Sequence, residues 1–169
     1  MRVIQLMSKL NFSEEIFSQN YKTYVASFSD FFDEKAKQNG LTNHAIRLYI
    51  RWFSKENEAI IKKYLKAEDF DPLVKNLNQI LKEKDEERFA NGTILVGSLG
   101  DLDPELLPKF NDCIPLLLEI CKDKTGLWRK NAGILVAKLA KHPANLDIFR
   151  KFHGIEILSS VSQFILGNK

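Results

Sequence analysis

The stretch NGTILVGSLGDLDPELLPKFNDCIPLLLEICKD, residues 91–123, decides the fold once NAGILVAKLAKHPANLDIFRKFHGIEILSSVSQ, residues 131–163, is set beneath it. Asn91 matches Asn131, Ile94-Leu95-Val96 matches Ile134-Leu135-Val136, and Leu99 matches Leu139. After a two-residue insertion in the second copy, Lys109-Phe110 meets Lys151-Phe152, and Ile114-Pro115-Leu116 falls on Ile155-Glu156-Ile157. The offset is 131 − 91 = 40 at the start and 155 − 114 = 41 at the end. A unit of this length buries its apolar face by stacking on its neighbours, so self-similarity at a fixed period predicts an array. Fainter copies lie upstream. Asp71-Pro72-Leu73 precedes Ile114-Pro115-Leu116 by 114 − 71 = 43 residues, and Ala45, Leu48, Tyr49 and Trp52 repeat the spacing of Ala132, Leu135, Val136 and Leu139.

The local signals are helical. Asp103-Pro104-Glu105 offers an N-cap acceptor, a proline at the first helical position and an acid in the first turn, and Asp71-Pro72 offers the same start. Gly40, Gly100, Gly126 and Gly154 mark junctions where tolerance of positive φ can end a helix. No segment alternates with period two, so no strands are expected. Each unit is predicted to hold a short first helix, a second helix and a longer third. Short first helices fall at 13–18, 57–66, 103–110 and 145–152. Second helices fall at 21–36, 71–84, 115–122 and 156–166, and third helices at 42–54, 86–99 and 128–140. The chain reads as one domain, 1–169, with repeats over 13–54, 57–101 and 103–142 and a partial one over 145–169.

Composition bounds the function. The chain has 169 residues, 44% of them hydrophobic and 28% charged, with a formal net charge of +3. That is enough length for a real core, and too mild a charge for the dense basic stripe of a nucleic-acid domain. Cys113 and Cys121 share one apolar run without a CxxC or neighbouring histidines, which reads as buried reduced thiols. MRVIQLMSKL has no long apolar core or small-residue cleavage site, and Arg2 stands where N-myristoylation would need glycine. With no run near the roughly 20 apolar residues of a membrane span, the expectation is a cytoplasmic or nuclear protein.

The stretch 131–157 resembles an armadillo repeat crossing into its neighbour: a small Ala132, the spaced Leu139-Ala140, Pro143 and Asn145 ahead of a short helix, then Gly154-Ile155 opening the next. Cys113-Ile114-Pro115-Leu116 resembles the same junction one unit earlier. The resemblance implies an all-α, right-handed α-solenoid of about three and a half armadillo-type repeats. It also implies a non-catalytic scaffold or adaptor that binds a peptide or helix along a concave groove lined by third helices. The family's nuclear-import adaptors carry Trp and Asn one turn apart on those helices. The Trp-like positions here are Arg47, Ile94 and Ile134 and the Asn-like ones Arg51, Ser98 and Lys138, so that ladder is missing. Arg51 and Lys138 would moreover repel a basic peptide.

The expected groove therefore comprises Arg47, Arg51, Asn91, Ile94, Ser98, Asn131, Ile134 and Lys138. Its partner would be a protein segment of acidic or mixed charge. The alternative is a nucleic-acid-binding helical-repeat protein using Arg47, Arg51 and Lys138. Charge alternates along the chain, basic over 47–66 and 122–151 and mostly acidic over 85–112. Chemistry of other kinds finds no foothold. His44, His142 and His153 lack metal-ligand neighbours, and no GxxxxGK[ST], GxGxxG or GxSxG occurs. No metal, cofactor or catalytic residue is expected. Asp101, Asp103, Glu86 and Glu87 read as acids at helix starts. Tyr21, Tyr24, Phe28, Phe31 and Phe32 read as a buried stripe, Trp52 as core, and Trp128 as core or partly exposed. The last helix carries more apolar surface than one contact needs. Val161, Phe164 and Ile165 are thus candidates for a terminal interface with a partner, a second copy or further sequence; the competing reading has this helix cap the core.

Overall fold

The computed structural model describes residues 13–167, with side-chain surroundings through residue 163. Ten α-helices and four 3-10 segments fill it, and there is no strand among the described residues. Helix α1 (Glu14–Asp30) starts after an extended Ser13 with Glu14 and Glu15 in its first turn. The break expected between residues 18 and 21 is absent. No Gly or Pro stands there, and the polar side chains bond within the helix: Ser18 Oγ donates to the Glu15 carbonyl and Asn20 Nδ2 to that of Ile16, each at 2.9 Å. Asp33 accepts from the Ala36 N–H at 2.6 Å and caps the short α2 (Glu34–Gln38). Gly40, at φ +69°, turns the chain into α3 (Leu41–Trp52).

A 3-10 turn at Lys55–Asn57 leads to α4 (Glu58–Tyr64), and another at Ala67–Phe70 to α5 (Asp71–Ile80). Asp71 is the first residue of α5 and caps nothing; its carboxylate instead holds the Lys109 ammonium. Helix α6 (Glu86–Leu102) is capped by Asp85, whose carboxylate accepts from the Arg88 N–H at 2.7 Å. The next segment, Pro104–Cys113, is 3-10 throughout, started by Asp103 and carrying within it Pro108, which has no N–H to give. It leads into α7 (Ile114–Asp123), followed by α8 (Gly126–Leu139), which opens on Gly126 at φ +62°. A 3-10 turn at Pro143–Asn145, α9 (Leu146–Lys151) and α10 (Gly154–Gly167) complete the fold.

Two of the expected glycine junctions have another cause. Gly100 and Gly154 do not take positive φ; at the second junction His153 does, at +54°. Both glycines permit close approach. A methyl at Gly100 would lie 2.3 Å from Leu107 Cδ2, and one at Gly154 would lie 2.3 Å from Phe149 Cδ1.

The helices pack in two rows. Helix α6 lies between α3 and α8. Behind them α1 packs on α5 and α7 on α10, with Pro104–Cys113 wedged against α5, α6 and α7. The rows meet where α5 touches α6, α7 touches α8 and α10 touches α8. Trp52 on α3, Leu99 on α6 and Leu139 on α8 point into the core between the rows and are all buried, as are Ala45 and Ala132. Aromatic rings fill the N-terminal part, Phe28 standing edge-on to Tyr49 at 5.0 Å and Tyr24 lying 4.6 Å from Trp52. Each fully buried side chain of this size contributes about 1.5–3 kcal/mol. Phe28 and Phe32 are buried, and Tyr21, Tyr24 and Phe31 pack against the core at its edge. Trp128 is half-buried, its ring stacked on Phe89 at 4.4 Å.

Burial also corrects the alignment of the two C-terminal copies. Phe149 is buried and Phe152 exposed, so Phe149 takes the core place of Phe110. Helices α7 and α10 start 154 − 114 = 40 residues apart and the buried Cys121 and Val161 are 161 − 121 = 40 apart, while Phe149 and Phe110 are 149 − 110 = 39 apart, so a one-residue shift replaces the two-residue insertion. The same kind of side-chain bond follows α3 and α8. Asn57 Nδ2 donates to the carbonyls of Arg51 and Trp52, each at 3.1 Å, and Asn145 Nδ2 donates to that of Leu139, the residue that matches Trp52, at 2.8 Å. The two asparagines hold α3 and α8 to the turns that follow them.

Candidate functional site

The exposed face of α3, α6 and α8 carries the eight residues expected in a groove. Helical spacing sets them in stripes: Arg47 and Arg51 on α3, Asn91, Ile94 and Ser98 on α6, and Asn131, Ile134 and Lys138 on α8. Helices α6 and α8 run in register, because Phe89 stacks on Trp128 (128 − 89 = 39) and Lys138 reaches Gly97 (138 − 97 = 41). Ile94 and Ile134, 40 residues apart, are therefore level. Both point outward, 48% and 46% exposed, so neither belongs to the core.

The polar groups on this face differ in how they are engaged. Arg47 pairs with Glu87 at 2.6 Å, both side chains more than half exposed, which makes the bond weak. Lys138 is held more firmly. Its ammonium lies 2.5 Å from Asp101 Oδ2 and donates to the Gly97 carbonyl at 3.1 Å, with the side chain 29% exposed. Asp101 therefore corrects the sequence reading: it stands in the last turn of α6, where the helix dipole disfavours an acid, and Lys138 accounts for its presence. Glu86 and Glu87 do lie in a first turn. Arg51 is exposed and has no ion-pair partner among the described residues. Ser98 Oγ donates to the Ile94 carbonyl at 3.2 Å. Asn91 and Asn131 are half-buried, and Asn91 Nδ2 is enclosed without a hydrogen-bond partner.

Two further residues complete the face. Leu127 is 57% exposed in the first turn of α8, and Lys130, on the same stripe three residues on, is exposed as well. Residues 127, 130, 134 and 138 share helical spacing, but a third helix expected from Trp128 onward leaves Leu127 outside it, whereas α8 begins at Gly126. Beyond the C-terminal ends of α6 and α8 a cleft is lined by Asp101, Glu105, Lys138, Lys141 and His142. His142 Nε2 lies 3.6 Å from Glu105 Oε1, and its Nδ1 accepts from the Ala144 N–H at 3.2 Å.

The expected terminal interface fares differently. Val161 is 2% exposed and packs on Gly133, where a methyl would lie 2.4 Å from its Cγ1, so it is spent within the chain and is not free for a partner. Phe164 and Ile165 lie outside the residues whose side chains are described. The exposed apolar groups near that end are instead Leu146, Phe152 and Ile155.

Both cysteines are buried free thiols, and burial pushes each up to about 11. Cys113 Sγ sits 3.0 Å from Asn78 Oδ1. Among the described residues no three His, Cys, Asp or Glu side chains gather as metal ligands, and no helix is long and apolar enough to cross a membrane. Comparison of the chain with family models, with curated proteins and with solved structures finds no match in any of the three.

Proposed function

We propose that this chain is a non-catalytic protein-interaction module, a scaffold or adaptor built as a right-handed solenoid of about three and a half armadillo-type repeats. It takes a partner peptide or helix, of acidic or mixed charge, along the groove formed by α3, α6 and α8. The observation that carries the reading is the pair Ile94 and Ile134. Two isoleucines at equivalent places on adjacent in-register helices are left in solvent, while their neighbours Leu95 and Leu135 are buried. Exposed apolar groups aligned across helices, rather than scattered, mark a surface that another molecule covers. The repeated Asn57 and Asn145 bonds and the side-by-side third helices support the repeat reading.

The nucleic-acid alternative rests on Arg47, Arg51 and Lys138, and two of these cations are already paired with Glu87 and Asp101. Neither thiol is activated as a nucleophile, since burial favours the protonated form of both. The test is footprinting by hydrogen exchange of the chain with a partner recovered from the source cell. Protection concentrated on 44–51, 87–101 and 127–138 supports the proposal. Protection confined to other elements, or binding only of oligonucleotides with steep loss of affinity on adding salt, refutes it.

A further inference from the structure

The charges on the α3–α6–α8 face do not balance once its internal pairs are removed. Glu87 and Asp101 are each taken by a cation of a neighbouring helix, and Glu86, exposed in the first turn of α6, stands outside the ion pairs of the described residues. No acid occurs in α3 between Leu41 and Trp52, or in α8 between Gly126 and Leu139. Arg51 and Lys130 are left exposed, without an ion-pair partner among the described residues. Between and beside them stand the exposed Ile94, Leu127 and Ile134. The face thus presents two unpaired cations, Arg51 and Lys130, and apolar anchors, against one exposed unpaired acid, Glu86, at the start of α6.

We infer that the groove's ligand is an acidic segment with aliphatic or aromatic anchors. Its apolar side chains seat on Ile94, Ile134 and Leu127, and its carboxylates meet Arg51 and Lys130. The inference rests on the interaction-module reading above and narrows it to one ligand chemistry. Charge complementarity sets the sign, because a basic segment would meet two unpaired cations and a neutral one would leave them unused. Geometry sets the spacing. Packed helix axes lie about 8–10 Å apart, and an extended chain covers about 7–10 Å in two or three residues. Anchors for Ile94 and Ile134 therefore sit two or three positions apart, with an acid on the flank that crosses α3.

The experiment is selection of random twelve-residue peptides displayed on phage against the full immobilised chain, followed by fluorescence anisotropy of synthetic copies of the enriched sequences. The expected result is enrichment of acidic peptides bearing two apolar residues at that spacing. Their affinity should fall about tenfold in the Ile94→Ala/Ile134→Ala variant and again in Arg51→Glu. It should hold in Arg150→Glu, a charge reversal on α9 off this face. Replacing glutamates by glutamines in the peptide should also cost about tenfold. Enrichment of neutral or basic peptides that still depend on Ile94 and Ile134 overturns this inference and leaves the groove reading standing. If no enriched peptide responds to any of these substitutions, or none is enriched, both fall. Tight binding of an oligouridine that is lost in Arg51→Glu overturns the inference in favour of nucleic acid. Melting temperatures of the variants, all at exposed positions, separate loss of binding from loss of fold.

Discussion

Lys138→Met isolates the one polar connection on the candidate face that is more than decorative. The substitution keeps most of the aliphatic stem and removes the ammonium that joins Asp101 and the Gly97 carbonyl. A partly exposed ion pair contributes about 0.5–1 kcal/mol, and a hydrogen bond from a charged donor adds about 1 kcal/mol after allowing for solvent. Removing both also leaves Asp101 alone at the C-terminal end of α6, against the helix dipole, so the total is about 1.5–2.5 kcal/mol. For a domain of this size that corresponds to a fall in Tm of about 3–10 °C. The comparison is Arg47→Met, whose bond to Glu87 is more than half exposed on both sides. It should move Tm by less than about 2 °C, the usual range for a surface change. Thermal unfolding followed by circular dichroism measures both, at low salt and at about 0.5 M, where screening should narrow the gap. If the two variants melt together, Lys138 does not bind α8 to α6 as the distances imply. The idea that Glu87 and Asp101 are spent on internal ion pairs then loses its stronger half.

Gly133→Ala should destabilise by about 1–2 kcal/mol, because overpacking against Val161 outweighs the better helix propensity of alanine. Adding Val161→Ala should recover part of the loss, and equal, additive effects in a double-mutant cycle would contradict the contact. Asn145→Ala should cost about 1–3 kcal/mol, since Asn145 is fully buried and its amide holds the Leu139 carbonyl; unchanged urea unfolding would argue otherwise. The folded thiols, held up to about 11 against an ordinary 9.0, bind protons more tightly than the unfolded ones. Their contribution to stability is therefore complete below pH 9 and lost as pH rises toward 11, with Tyr49, also raised by burial, acting in the same direction. Ellman's reagent at pH 8 should label neither cysteine until the chain unfolds, and rapid labelling of the folded chain would refute their burial.

What could be read from sequence was what the helical period writes into a single segment. Helices α3 and α8 are legible within a few residues because Ala45, Leu48, Tyr49 and Trp52 recur as Ala132, Leu135, Val136 and Leu139, and each set buries one face. The expected break between residues 18 and 21 has no local cause, since no residue there opposes a helix, and α1 runs on. The Lys-Phe dipeptide points to Phe152, whereas the core takes Phe149, the ring that the turn of α9 directs inward. Gly100 and Gly154 show the same limit, since a glycine needed for close approach to Leu107 or Phe149 looks identical in sequence to one needed for positive φ. Asp101 could not be understood locally at all. Its partner lies 138 − 101 = 37 residues away, and only the register of α6 against α8 brings them together.

That register also explains the distribution of polarity along α6. Glu87 in its first turn ties the helix to α3 through Arg47, and Asp101 in its last turn ties it to α8 through Lys138. The middle of the exposed stripe, from Asn91 to Ser98, carries no charge, and its most exposed member is Ile94. Charge at the ends with an apolar centre is the arrangement in which a bound segment can desolvate the middle while polar contacts remain at the rim. The same distribution follows from internal needs alone at the two ends, because each ion pair joins neighbouring helices. It does not follow in the middle, where nothing inside the described fold asks for isoleucine at 94 and again at 134 in place of a polar residue. An Ile94→Gln/Ile134→Gln variant should accordingly fold with unchanged or slightly higher solubility and a Tm within about 2 °C of the parent. If it melts much lower, the two isoleucines are working within the chain, and the case for a ligand over α6 and α8 is removed.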